Sequence, residues 1–146
     1  MEANKIIITG AATRMGAAIA KKLSGPGVDI VIHYNSSKAS AEKLKKELNR
    51  KNTNVYLIKG DLSKENDLKK VIKFAKLKLK YFDCLINNAS LFENDNLKNF
   101  TSKSWSHHLN VNLKAPAYLT KEFAKNTKGK NNNIINIIDQ RVFKLT

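Results

Sequence analysis

The residues of this chain best suited to chemistry begin near its N-terminus, where Ile6 to Gly16 reads I-I-I-T-G-A-A-T-R-M-G. An apolar strand running through a glycine turn into a helix aims backbone N–H groups and the positive end of a helix dipole at one spot, whose natural occupant is a phosphate. Gly10 follows the strand, where the backbone must turn and a side chain would obstruct a pyrophosphate; Gly16, just inside the helix, allows close packing on a sheet. Two glycines alone would serve an ordinary strand–helix turn equally well, so the reading depends on the other strand ends.

After the second apolar run comes His33-Tyr34-Asn35-Ser36-Ser37-Lys38, with no acidic residue. A carboxylate there would hold the ribose hydroxyls of NAD and repel a 2'-phosphate, whereas hydroxyls, an amide and nearby Arg14 accept one, which favours NADP. Ser36 or Ser37 also suits the cap of the next helix. Gly60-Asp61-Leu62-Ser63 follows the third run; Asp61 can accept from an adenine amino group or stabilise the next helix start by charge. Asn87-Asn88-Ala89-Ser90 follows the fourth, small and polar where bulk would collide with a nucleotide.

The elements that must position these residues alternate along the chain. Strands are expected at Lys5 to Thr9, Asp29 to Tyr34, Asn54 to Lys59, Phe82 to Asn87 and Asn133 to Ile138, with Ile and Val runs suited to burial on both faces. In the first helix Met15, Ala18, Ile19 and Leu23 are expected on the apolar face, before the stop at Gly25-Pro26-Gly27. The second, Lys38 to Arg50, buries Ala41, Leu44 and Leu48 and pairs Glu42 with Lys46 and Glu47 with Lys51. The third starts at a Ser63 cap and buries Leu68, Val71, Ile72, Ala75 and Leu79. A long fourth, Ser102 to Asn126, sets Trp105, Leu109, Asn112, Pro116, Leu119 and Phe123 on one stripe and bends at Pro116. An amide at Asn112 would then be buried and need partners. The alternation gives an α/β, Rossmann-like, doubly wound parallel sheet in three layers, with ligands outside the carboxyl ends of the strands. No repeat or linker divides residues 1–146, which are read as one domain.

Five ordered motifs, T-G-A-A-T-R-M-G, G-D-L, N-N-A-S, N-V-N-L-K-A-P and I-I-N-I-I-D-Q-R, resemble the short-chain dehydrogenase/reductase family, and within it the pteridine-reductase-like branch. The resemblance implies a metal-free NADP(H) site and hydride transfer between nicotinamide and a small carbonyl, alcohol or pteridine-like imine. It places Gly10, Arg14, Met15 and Gly16 around the phosphates, and His33, Tyr34, Asn35 and Ser36 at the 2'-phosphate. Asp61 and Leu62 fall at the adenine, and Asn88, Ala89 and Ser90 beside the inner ribose. Asn112 matches the helix asparagine that supports a proton relay. Arg14 stands where most members have glycine and Asp139 where most have serine; the pteridine-reductase branch resembles this chain at both. Asp139 is therefore the substrate-side candidate, with a plain strand-end Asp as its alternative.

The family's Tyr-x-x-x-Lys turn, which handles the proton, is expected a little beyond Asp139 on a helix that these 146 residues do not contain. Only Tyr34 has a lysine four residues on, Lys38, and it belongs to the adenosine side. The expectation is a truncated or split product, inactive alone, with about five strands and Asn133 to Ile138 at a raw edge. That edge invites self-association or a separately encoded C-terminal half.

Composition bounds the alternatives. Net charge is +15, but 24 of the 27 basic residues are Lys, mostly on outer helix faces, with Arg only at 14, 50 and 141. Groove and phosphate readers favour guanidinium, so a solvated surface is preferred over a nucleic-acid partner. Cys84 stands alone, excluding an intramolecular disulfide and a thiolate zinc cluster. His107 and His108 project about 100° apart on one helix, so no histidine pair suits a metal, and all three histidines are read as structural or surface groups. No stretch resembles a signal peptide or membrane span, which points to the cytoplasm.

Overall fold

In the computed structural model, residues 4–129 and 131–139 are described. Five strands form one parallel sheet of order β3-β2-β1-β4-β5, comprising β1 (Lys5–Ile8), β2 (Asp29–Tyr34), β3 (Asn54–Lys59), β4 (Cys84–Asn87) and β5 (Asn133–Asn136). Ile7 lies between Val31 and Leu85 in register, so the three central strands carry apolar residues on both faces. Between them run α1 (Arg14–Leu23), α2 (Lys38–Asn49), α3 (Glu65–Leu79), α4 (Ser102–Leu109) and α5 (Ala115–Ala124). On one face Ile7, Val31 and Leu85 pack with Leu68, Val71 and Ala75 of α3 and Leu119 and Phe123 of α5. On the other, Ile6, Ile8, Ile30, Ile32 and Ile86 pack with Ala20 of α1 and Leu44 and Leu48 of α2. Burial of each Ile contributes roughly 1.5–3 kcal/mol, so the two faces of β1 and β2 dominate the core. The result is the doubly wound, Rossmann-like α/β sheet expected from the alternation.

Several local expectations are corrected. The buried residues of α1 are Gly16 and Ala20, with Ile19 only partly covered, whereas Met15 and Leu23 are 57% and 38% exposed and Ala18 is exposed. Small residues win because the helix lies close on the sheet: a Cβ on Gly16 would meet Asn88 Nδ2 at 2.5 Å and Gly10 O at 2.7 Å. Glu47 pairs with Lys21 of α1 at 2.8 Å instead of with Lys51, and no ion pair joins Glu42 to Lys46 among the described residues. Neither Ser36 nor Ser37 caps α2 by its side chain, although Ser37 holds the N-cap position. The third helix starts at Glu65, because Ser63 turns its hydroxyl to Asp61 Oδ1 at 2.7 Å.

The long fourth helix is divided. A π turn, Asn110–Lys114, separates α4 from α5, just before Pro116, which has no N–H to donate to the carbonyl four residues back. Its extra residue shifts the inward face to Val111, Ala115, Leu119 and Phe123. Trp105, Leu109 and Asn112 are left exposed, so the buried amide expected at Asn112 is not found. β5 lies at the sheet edge, as expected, but spans four residues, all exposed.

Candidate functional site

The carboxyl ends of β1, β2, β3 and β4 open into a cleft of about 600 Å³. Its floor is the turn after β1, where Gly10 has φ +60°, a conformation only glycine adopts freely, and a Cβ would lie 2.8 Å from Ala89 Cα. Arg14 opens α1 at φ +51°, in the region that glycine favours. The N–H groups of Arg14, Met15 and Gly16 make no backbone hydrogen bond among the described residues and sit at the positive end of α1. All three residues line the cleft, and Arg14 adds a guanidinium. This is an anion-binding wall built from backbone donors.

Two buried side chains hold the turn. Thr9, 1% exposed, accepts from the N–H groups of Asn88 and Ala89, each at 3.0 Å, through its hydroxyl. Asn88 reciprocates, donating from Nδ2 to Thr9 O at 2.9 Å and Gly10 O at 3.1 Å. From the other side comes His33, 2% exposed, whose Nδ1 accepts from Gly10 N–H at 3.2 Å and whose Nε2–H donates to Gly60 O at 2.9 Å. Burial pushes the His33 imidazole below its ordinary value, against the smaller opposing pull of Gly60, Asp67 and Asp61.

At the end of β3, Asp61 closes its own turn: Oδ1 accepts from Ser63 N–H at 3.0 Å and from the Ser63 hydroxyl. Burial tends to raise its pKa, but the Ser63 bonds and Lys64 outweigh that and hold it below the ordinary value. At the end of β4 the chain continues through a segment without regular structure to Thr101. Asn112 fastens it by accepting from Leu91 N–H and donating to Leu91 O, both at 2.8 Å. Further out, His108 Nε2 accepts from Glu93 N–H at 2.9 Å, while His107 Nδ1 lies 2.8 Å from Glu93 Oε1.

The cleft brings together eleven of the residues singled out from sequence: Gly10, Arg14, Met15 and Gly16 on its floor, His33, Asn35, Asp61 and Leu62 on one wall, and Asn88, Ala89 and Ser90 opposite, with His33 serving as a buried support. Four lie elsewhere. Tyr34 is buried with Ala12 and Ala41, Ser36 is exposed outside the lining, Asn112 acts on the Leu91 backbone, and exposed Asp139 lies past β5. The lining also takes in Thr13, Leu91, His107, Val111 and Ile137. Thr13 stood inside the glycine motif and was legible; the others reach the cleft from the loop after β4, from α4, from the π turn and from the residue after β5, which no spacing rule joins.

The family model for short chain dehydrogenases matches residues 4–141. The chain is 32% identical over 143 residues to the uncharacterized oxidoreductase YjdA of Bacillus subtilis, covering 96% of this chain and 55% of that one. It is 33% identical over 132 residues to the 3-oxoacyl-[acyl-carrier-protein] reductase FabG of Buchnera aphidicola, covering 90% and 53%. Among solved structures, FolM alternative dihydrofolate reductase 1 from Brucella canis, complexed with NADP, superimposes with a TM-score of 0.88 at 33% identity, over 97% of this chain and 56% of that one. The chain thus spans about half the length of the relatives it matches.

Proposed function

The chain belongs to the short-chain dehydrogenase/reductase family, and we propose that it binds NADP(H) in the cleft at the strand ends as the cofactor-holding part of a reductase acting on a carbonyl or pteridine-like imine. The observation that carries this reading is the wall of three N–H groups at the start of α1 that make no backbone hydrogen bond among the described residues, with the Arg14 guanidinium beside them. Those donors suit a pyrophosphate. Arg14, with Asn35 and no carboxylate after β2, suits a 2'-phosphate, which a guanidinium can grip in bidentate fashion. Asp61 and Leu62 are assigned to the adenine and Ala89 and Ser90 to a ribose. The FolM structure with NADP supports the same choice of cofactor.

When bound, the nicotinamide supplies the hydride. Asn112 is assigned the support of the loop over that end of the cleft through Leu91, and Asp139 the substrate side. Proton delivery has no candidate tyrosine here: Tyr34, Tyr56, Tyr81 and Tyr118 are all absent from the cleft lining. The purified chain is therefore expected not to oxidise NADPH with a pterin or carbonyl substrate, and turnover above a Gly10→Val control would overturn that. Thermal unfolding with NADPH and with NADH tests the binding itself. Saturating ligand at about 100 Kd adds about 2.7 kcal/mol, and NADPH should act at lower concentration than NADH. A cooperative transition unmoved by either sinks the proposal.

A second reading concerns the edge of the sheet. Ile134 and Ile135 of β5 are 39% and 45% exposed, and no strand covers the outer edge of β5 among the described residues. Further polypeptide adding strands and the Tyr-x-x-x-Lys helix at this edge would bury them and complete the site. Failure of a polypeptide carrying that motif and the following strands to bind the chain and cover this edge would end this reading.

A further inference from the structure

We propose that His33 is a positioning residue whose single permitted neutral tautomer sets the turn after β1 for dinucleotide binding and links that binding to pH. The proposal rests on the cofactor reading above and deepens it. A carbonyl only accepts, so the contact with Gly60 O requires a proton on Nε2; Gly10 N–H only donates, so Nδ1 must be bare. The side chain thus bridges the ends of β1 and β3 and tolerates no other protonation state.

The backbone reinforces the bridge. His33 O accepts from Ala11 N–H at 3.0 Å, and Gly60 N–H donates to Tyr34 O at 3.1 Å, so both turns are tied to the end of β2 twice. Gly10 N–H is thereby committed to the imidazole and withheld from a ligand. Anion binding falls to Arg14, Met15 and Gly16, whose placement depends on the turn that His33 holds.

A proton on Nδ1 would confront Gly10 N–H donor to donor. Gly10 has little room to retreat toward β4, where even an added Cβ would come within 2.8 Å of Ala89 Cα. The acids that face the imidazole are Asp61, after β3, and Asp67, on α3; both are engaged, Asp61 by Ser63 and Lys64, and Asp67 Oδ2 by Asp61 N–H at 2.7 Å. Arg14, on α1, is the cation of the same cleft. Protonation must therefore break the Gly10 contact and displace the donors of α1, and bound dinucleotide must in turn make His33 harder to protonate.

The test is nitrogen-detected NMR of the imidazoles in the intact chain, with NADH and NADPH titrations across pH. Expected are an Nε2–H tautomer, a Gly10 amide resonance that moves in step with His33 titration, and a His33 pKa that falls further when NADPH is added. NADH has no 2'-phosphate to titrate, so its affinity should stay flat from about pH 8 to below pH 6.5. It should then weaken by up to about tenfold per pH unit below the titration point of His33. His33→Asn, which can keep an acceptor for Gly10 but cannot titrate, should bind without that acid loss. An Nδ1–H tautomer, a Gly10 amide indifferent to His33, or parallel acid losses in both proteins would overturn the proposal. A folded chain that binds neither dinucleotide at about pH 7.5 instead defeats the cofactor reading, and the tautomer and Gly10 resonances then decide the role of His33 without it.

Discussion

Thr9 and Asn88 hold each other twice: the Thr9 hydroxyl accepts from Asn88 N–H at 3.0 Å, and Asn88 Nδ2 donates to Thr9 O at 2.9 Å. The pair laces the end of β1 to the end of β4 beneath the cleft, and Ala89 N–H joins it on the same hydroxyl. Thr9→Val keeps the shape but leaves two N–H groups without an acceptor at a residue 1% exposed. The expected loss is about 2–4 kcal/mol, read as a lower urea midpoint, with Thr9→Ser within about 1 kcal/mol of the parent. Equal stability of the Val variant would mean that the lacing is incidental.

Arg14 combines two opposed effects. Its φ of +51° costs a side-chain-bearing residue roughly 1 kcal/mol that glycine would not incur, while its guanidinium is the cation of the proposed 2'-phosphate site. Arg14→Gly should therefore leave the melting temperature unchanged or slightly raised. It should also cut the preference for NADPH over NADH by about tenfold or more, the value of one lost charge-assisted contact. Loss of stability with the preference intact would reverse both assignments.

Acid should weaken the fold through His33. Its ordinary value is 6.5 and its folded value lies lower, so between the two the unfolded chain binds more protons and stability rises with pH. The contribution is complete above 6.5 and is lost progressively as pH falls toward the folded value. Asp61, also lowered in the fold, adds a second loss below about 3.8. Urea midpoints measured across this range should decline on acidification below 6.5, and the decline should be shallower in His33→Asn.

The strands were legible because Ile6-Ile7-Ile8, Ile30-Val31-Ile32 and Leu85-Ile86 are buried on both faces, so hydropathy alone marks them. Helix faces were less so. On α1 the closest approach to the sheet needs Gly16 and Ala20, residues that a search for bulky apolar side chains passes over. Beyond Trp105 the π turn breaks the helical period, and no pattern of types announces a π turn except the nearby Pro116. Within the cleft, glycine and Asn positions could be found from the motifs. The supports could not: Thr9 acts across 79 residues on Asn88, and His33 acts through a tautomer that only its two partners define.

Cys84 tests the burial of β4. It is 5% exposed, and burial, with a smaller effect of Asp83, pushes its thiol up to about 11 from an ordinary 9.0. At about pH 8 that lowers the thiolate fraction about a hundredfold, before any effect of access. A thiol reagent should modify the native chain at least that much more slowly than the urea-unfolded chain. Comparable rates would place β4 at a mobile edge rather than beside β1.

Asn112 sits in the π turn, exposed, yet both polar ends of its amide are used on Leu91, so its role is to hold the loop after β4 against the helix. The π turn is what turns Asn112 toward that loop, since the inward face passes from Val111 to Ala115. Asn112→Ala removes two hydrogen bonds at an exposed site, where water can replace them, so global stability should fall by only about 0.5–1.5 kcal/mol. Local order should suffer more. Amide exchange at Leu91 is expected to accelerate well beyond that at Leu85 in the strand behind it, because the loop can open without unfolding the sheet. Asn112→Asp, which keeps the acceptor for Leu91 N–H but places a charge against Leu91 O, should loosen the loop too. Exchange at Leu91 that tracks global stability in both variants would show the loop to be held by other contacts.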